Sequence, residues 1–119
     1  MLLVGIGGAI GAMLRYTISD IMPSDSLPLG TMTVNLLGSL ILGIIFGAIA
    51  ADALISQENF LLFGTGLLGA FTTMSAFAME TVKLSENEMS AAMVYVSFTI
   101  IGSIVLAWSG YKVGIVLFS

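Results

Sequence analysis

The sequence predicts an all-α membrane protein: four transmembrane helices with a break in the third. Three observations point there. Of 119 residues, 58% are hydrophobic and only 8% are charged, with a mean hydropathy of +1.12. A soluble domain carries roughly 25% charged residues; three Lys or Arg and seven Asp or Glu cannot make a water-facing surface, which argues against a soluble enzyme. A transmembrane helix takes about 20 apolar residues, so four spans with short loops use nearly the whole chain and leave no room for a catalytic domain. Lipid admits only helices and closed barrels, and the alternation of a barrel strand is absent. Residues 1–119 therefore read as a single four-helix transmembrane domain.

Each span has a recognisable end. Span one covers roughly residues 1–22 and stops at Met22-Pro23-Ser24-Asp25-Ser26-Leu27-Pro28, a loop marked by two prolines. Its arginine comes late and a second apolar stretch follows directly, unlike a cleaved signal peptide. Span two covers roughly 29–51 and ends at Asp52, with a short loop to about Glu58. Span three covers roughly 59–83, but Gly69-Ala70-Phe71-Thr72-Thr73-Met74-Ser75 is polar for a membrane centre. Consecutive threonines there suit a broken helix, whose freed carbonyls must find protein, water or a cation. Glu86-Asn87-Glu88 forms the third loop, and span four covers roughly 90–118.

Absences narrow the function. No Cys and no His removes disulfides, thiolate chemistry, most zinc and haem sites and the usual proton shuttle. Three basic residues argue against nucleic-acid binding, which needs clustered Lys and Arg. Gly64-Thr65-Gly66-Leu67-Leu68-Gly69 matches G-x-G-x-x-G after a strand-like Phe60-Leu61-Leu62-Phe63. A dinucleotide fold also needs a solvated α/β sheet, which the composition forbids, so the match is read as chance.

Glycine spacing and charge bear on assembly. Gly7/Gly11, Gly43/Gly47 and Gly110/Gly114 are GxxxG pairs on three spans, which suggests a tightly packed bundle or dimer. Lys83 and Lys112 fall on opposite sides of the membrane, so their votes under the positive-inside rule cancel. A chain with so little orientation signal can insert both ways and pair as an antiparallel, dual-topology dimer. One fixed orientation set weakly by Arg15 is the alternative.

Polar residues inside spans are costly and are functional candidates. Thr31 and Asn35 lie at i, i+4 on span two; Tyr95, Thr99 and Ser103 lie at i, i+4, i+8 on span four. Amide N–H and hydroxyl groups along such faces can replace the hydration shell of an anion. The competing reading bonds the hydroxyls back to their own helix and makes Asn35 a link between helices; for Asn35 the two are balanced. Phe77 can offer an anion its positive ring edge, although packing is the commoner fate of a Phe. Glu80 and Lys83 are three apart and can pair at the helix end.

These residues also carry a family resemblance. Gly7-Gly8-Ala9-Ile10-Gly11-Ala12-Met13-Leu14-Arg15-Tyr16 is similar to the first-helix signature of the Fluc (CrcB) fluoride channels. Gly30-Thr31-Met32-Thr33-Val34-Asn35-Leu36-Leu37-Gly38 resembles their second-helix motif. Gly66-Leu67-Leu68-Gly69-Ala70-Phe71-Thr72-Thr73-Met74-Ser75-Ala76-Phe77 resembles the third, and Tyr95 with Thr99 the fourth. The likeness runs in order over nearly the whole chain.

The resemblance implies a multi-pass fluoride exporter of the bacterial inner membrane, surrounded by lipid, that works passively as a dual-topology dimer with two pores. Carried over by position, Asn35, Thr31, Phe77, Met74, Ser75, Tyr95, Thr99 and Ser103 belong to the fluoride pathway, with Arg15 near its entrance. Gly69 and Thr72 match positions whose backbone carbonyls, from both subunits, hold a structural sodium ion. Met74 departs from the family, standing at its first pore phenylalanine; Ala76 replaces a usual Ser or Thr, and Thr99 a usual Ser. The net charge of −4 is odd for an anion conduit, because it repels rather than steers anions. A homodimer is expected, since the other pore residues are retained; a heterodimer with a related subunit is the alternative. A small four-helix multidrug exporter needs an intramembrane glutamate in span one, where this chain has none before Asp20. A non-transport assembly protein would leave Asn35 and the span-four polar track unexplained.

Overall fold

A computed structural model describes residues 1–22, 27–52 and 55–119. Helix α1 spans Leu2–Ile21 and α2 spans Leu29–Ala50. Pro28 sits at the cap of α2, where its missing N–H costs the helix nothing. Beyond α2, Asp52 takes a left-handed conformation (φ 62°) that stops the helix. Helix α3 covers residues 57–71, with α-helical turns at Gln57–Asn59 and Gly69–Phe71 around a π-helical stretch, Phe60–Leu68. The Ser56 hydroxyl starts it by accepting the Asn59 amide at 3.1 Å. After a break, α4 covers Ser75–Asn87 and α5 covers Met89–Phe118.

Four helical stretches are long and apolar enough to cross a membrane: Leu2–Ile21, Leu29–Ala50, Gln57–Asn87 and Met89–Phe118. The molecule is 48 Å in its longest dimension, close to a bilayer with its headgroups at about 40–45 Å. It is a multi-pass integral membrane protein. Spans one, two and four match the sequence reading to within a residue. The third does not: the helix runs on past residue 83 through Asn87, so the expected Glu86-Asn87-Glu88 loop shrinks to one extended residue, Glu88. Glu88 donates its amide to the Leu84 carbonyl at 2.7 Å and accepts the Ala92 amide at 3.2 Å. The polarity of its neighbours Glu86 and Asn87 does not end the helix. Of the other expected loops, Pro23 to Ser26, Ala53 and Leu54 lie outside the described residues.

Packing pairs α1 with α3 and α2 with α5. Glycine makes both approaches possible. A Cβ on Gly7 or Gly11 would strike the carbonyl of Leu62 or Leu67, and one on Gly66 would lie 2.8 Å from the Val4 carbonyl oxygen. Among the glycines of the G-x-G-x-x-G run it is thus Gly66 that packs against α1; Phe60 to Phe63, strand-like in sequence, are π-helical. On the other side, Gly43 and Gly47 meet the carbonyls of Ala107 and Tyr111, while Gly110 and Gly114 meet those of Leu40 and Ile44. All three GxxxG pairs act within one chain. Between the helix pairs sit two small clusters of buried side chains, Met32 with Phe77 and Tyr95, and Val34 with Leu68 and Phe71.

Candidate ion pathway at the broken helix

The break begins at Thr72, where the backbone turns extended (φ −86°, ψ 160°). Threonine hydroxyls there offer hydrogen bonds that compete with the helix. Thr72 Oγ1 donates back to the Leu68 carbonyl at 3.2 Å. Thr73 Oγ1 accepts the Ala76 amide at 3.2 Å and so caps α4. Asn35, from α2, completes the arrangement. Its Oδ1 accepts the Thr73 amide at 2.9 Å and its Nδ2 donates to the Thr73 carbonyl at 3.1 Å. The Thr73 amide would otherwise close a helical turn onto Gly69.

Arg15 braces the break from α1, its Nε donating to the Ala70 carbonyl at 3.2 Å. Gly69 itself keeps helical angles (φ −61°, ψ −39°). Among the described residues, no amide of the next turn reaches the carbonyls of Gly69, Phe71 or Thr72. Carbonyl oxygens left in this way are hard, neutral ligands, which is the donor set that suits an alkali cation.

Beside the break lies a pocket of about 360 Å³, bordered by Asn35, Thr72, Thr73, Met74, Phe77, Thr99 and Ser103 among others. The structure therefore brings together residues of three spans that the sequence singled out separately. Met74 projects outward, 74% exposed, whereas Phe77 is buried. The Thr99 hydroxyl is buried without a partner among the described residues, and a buried hydroxyl of that kind calls for a ligand or a water.

Other expected residues lie away from the pocket lining. Tyr95 is fully buried behind Phe77, the ring centroids 5.1 Å apart and the planes at 47°. Its hydroxyl neighbours Thr31 and Glu80 without making a well-formed hydrogen bond to either. Thr31 Oγ1 donates to Glu80 Oε1 at 2.6 Å. Ser75 lies at the mouth of the break, its Oγ 3.4 Å from Thr73 Oγ1. Glu80 corrects an expectation, for it binds Thr31 and not Lys83. Because α4 continues to Asn87, Glu80 sits well inside the helix and turns toward α2. Sequence reasoning had assigned it to a helix end and so missed it. Ser39, also on the pocket, was missed too, although it extends the Thr31, Asn35 series by four residues.

Comparison with known proteins agrees with this architecture. The sequence model of the family described as CrcB-like protein, Camphor Resistance (CrcB), matches residues 2–111. A protein of Thermotoga petrophila named "Fluoride-specific ion channel FluC" is 40% identical over 117 residues, covering 95% of this chain and 92% of that protein. "Fluoride-specific ion channel FluC 1" of Geobacillus kaustophilus is 45% identical over 116 residues, covering 95% and 96%. A FluC of Methanocaldococcus jannaschii is 38% identical over 120 residues, covering 99% and 96%. The likeness extends through all four spans and both sides of the break, and the chain belongs to the CrcB family.

Proposed function

We propose that the chain forms a fluoride-selective channel that lets fluoride leave the cell passively across the inner membrane. The observation that carries this reading is the pocket at the α3 break, where Asn35, Phe77, Thr99 and Ser103 converge inside the membrane. A small, strongly hydrated anion needs donors to replace its water, held weakly enough to let it go. Asn35 uses one Nδ2 hydrogen on Thr73 and keeps a second for the anion. Phe77 offers a ring edge, and the hydroxyls of Thr99 and Ser103 continue the track along α5. Met74 and Ser75 border its opening; Thr31 and Tyr95 extend it toward Glu80; Arg15, bonded to the Ala70 carbonyl at the break, is assigned to the approach on the family resemblance alone. The names of the relatives support the identity of the ion.

The working unit of this proposal is an antiparallel homodimer of dual topology. A sodium ion fits the break, held by the Gly69 and Thr72 carbonyls, where it would supply positive charge that ties two inverted subunits together. Two tests apply. Production of the chain in a fluoride-sensitive bacterial strain should restore growth in fluoride, and unchanged sensitivity with protein in the membrane counts against the channel. Replacing sodium by a bulky organic cation throughout purification should abolish fluoride efflux from liposomes; unchanged efflux removes the cation.

A further inference from the structure

We propose that Arg15 restricts the carbonyl site at the α3 break to monovalent cations. The proposal rests on the reading above that the freed carbonyls of Gly69 and Thr72 hold a cation. Arg15 Nε donates to the carbonyl of Ala70, the residue directly after Gly69, at 3.2 Å. That bond fixes a guanidinium, charged at every accessible pH, beside the turn whose carbonyls are open. No carboxylate among the described residues pairs with Arg15, which is half-buried in a membrane span. Such an arginine is costly; the negative C-terminal end of α3, which closes at Phe71, is what offsets its charge.

Neutral carbonyl oxygens accept hard cations of either charge, so the ligands alone discriminate poorly. A fixed positive charge beside them does discriminate, because it repels a divalent ion twice as strongly as a monovalent one. Asn35, the other brace of the break, is neutral. Of the two acids on α4, Glu80 accepts from Thr31 and Glu86 lies at the far end of the helix from the break. Among the described residues, the charged side chain hydrogen-bonded to the break itself is therefore Arg15.

The test is the thermal unfolding midpoint of the purified protein in detergent, without fluoride, titrated with sodium or calcium chloride at constant ionic strength. Unmodified protein should be stabilised by sodium at concentrations well below those at which calcium has its half-maximal effect. Arg15→Gln keeps a donor for Ala70 but loses the charge, and calcium should stabilise it at a concentration lower by about tenfold or more. Arg15→Lys should behave like the unmodified protein. A sodium-to-calcium ratio in Arg15→Gln within about twofold of the original overturns the role of Arg15. Should that variant not fold, competition in the unmodified protein decides: calcium in about hundredfold excess must leave the sodium effect intact, and displacement overturns the proposal. Absence of any sodium effect in the unmodified protein overturns the cation reading itself, a separable outcome.

Discussion

Asn35 donates to and accepts from a single residue, Thr73, with both ends of its side-chain amide. The two readings of this residue, helix link and anion donor, are thereby compatible, since one N–H is left over. Asn35→Asp keeps the acceptor for the Thr73 amide but sets a carboxylate oxygen against the Thr73 carbonyl. Loss of that donor should cost about 1–3 kcal/mol of stability, and fluoride efflux should collapse; near-normal efflux would take Asn35 out of the pathway. Met74 is one of the residues, with Ala76 and Thr99, at which the chain departs from the pattern that the family resemblance implies. A thioether is flexible and polarizable but lacks the positive ring edge of Phe. Met74→Phe should preserve or raise efflux, and a clear loss would mean that the pocket is built around the thioether. Candidate residues were legible where a polar group stood in an apolar span, as with Asn35 and Thr99, which line one pocket. They were illegible where a partner decides the role. Nothing in the spacing of Glu80 and Lys83 reveals that Thr31, 49 residues from Glu80 in sequence, takes the carboxylate.

At the scale of elements, the broken helix depends on caps and the helix pairs depend on glycine. Thr73→Val retains the β-branched shape but removes the hydroxyl that accepts the Ala76 amide. It should cost about 0.5–2 kcal/mol, read as a lower unfolding midpoint. Gly43→Ala would drive a Cβ into the Ala107 carbonyl, whereas Gly5 has nothing within 4 Å of the same position. The first should destabilise by about 1–3 kcal/mol and the second should be close to silent; equal effects would contradict the α2–α5 packing. The four spans could be read because their apolar lengths match a bilayer. The break was visible in Thr72 and Thr73, whose hydroxyls compete with the helix. The π-helical Phe60–Leu68 stretch was not visible. It forms where α3 meets Gly7 and Gly11 of α1, a tertiary contact that no local pattern in α3 encodes.

For the whole molecule, the three GxxxG pairs pack helices of one chain together, so the proposed dimer would use other surfaces. The proposed dual topology rests on charge, since the votes of Lys83 and Lys112 oppose each other. Single cysteines placed at either terminus should be labelled from both sides of the membrane, and two lysines added to one loop should lock one orientation. Labelling from one side only would reject the inverted dimer. The central claim is that this chain, by itself, conducts fluoride past the α3 break. The most direct measurement is efflux from liposomes holding the purified chain, produced alone, with fluoride and chloride followed by ion-selective electrodes. The account predicts rapid fluoride efflux with chloride retained, and loss of the fluoride signal in Asn35→Asp. A well-folded protein that releases no fluoride, or releases chloride equally fast, would contradict it.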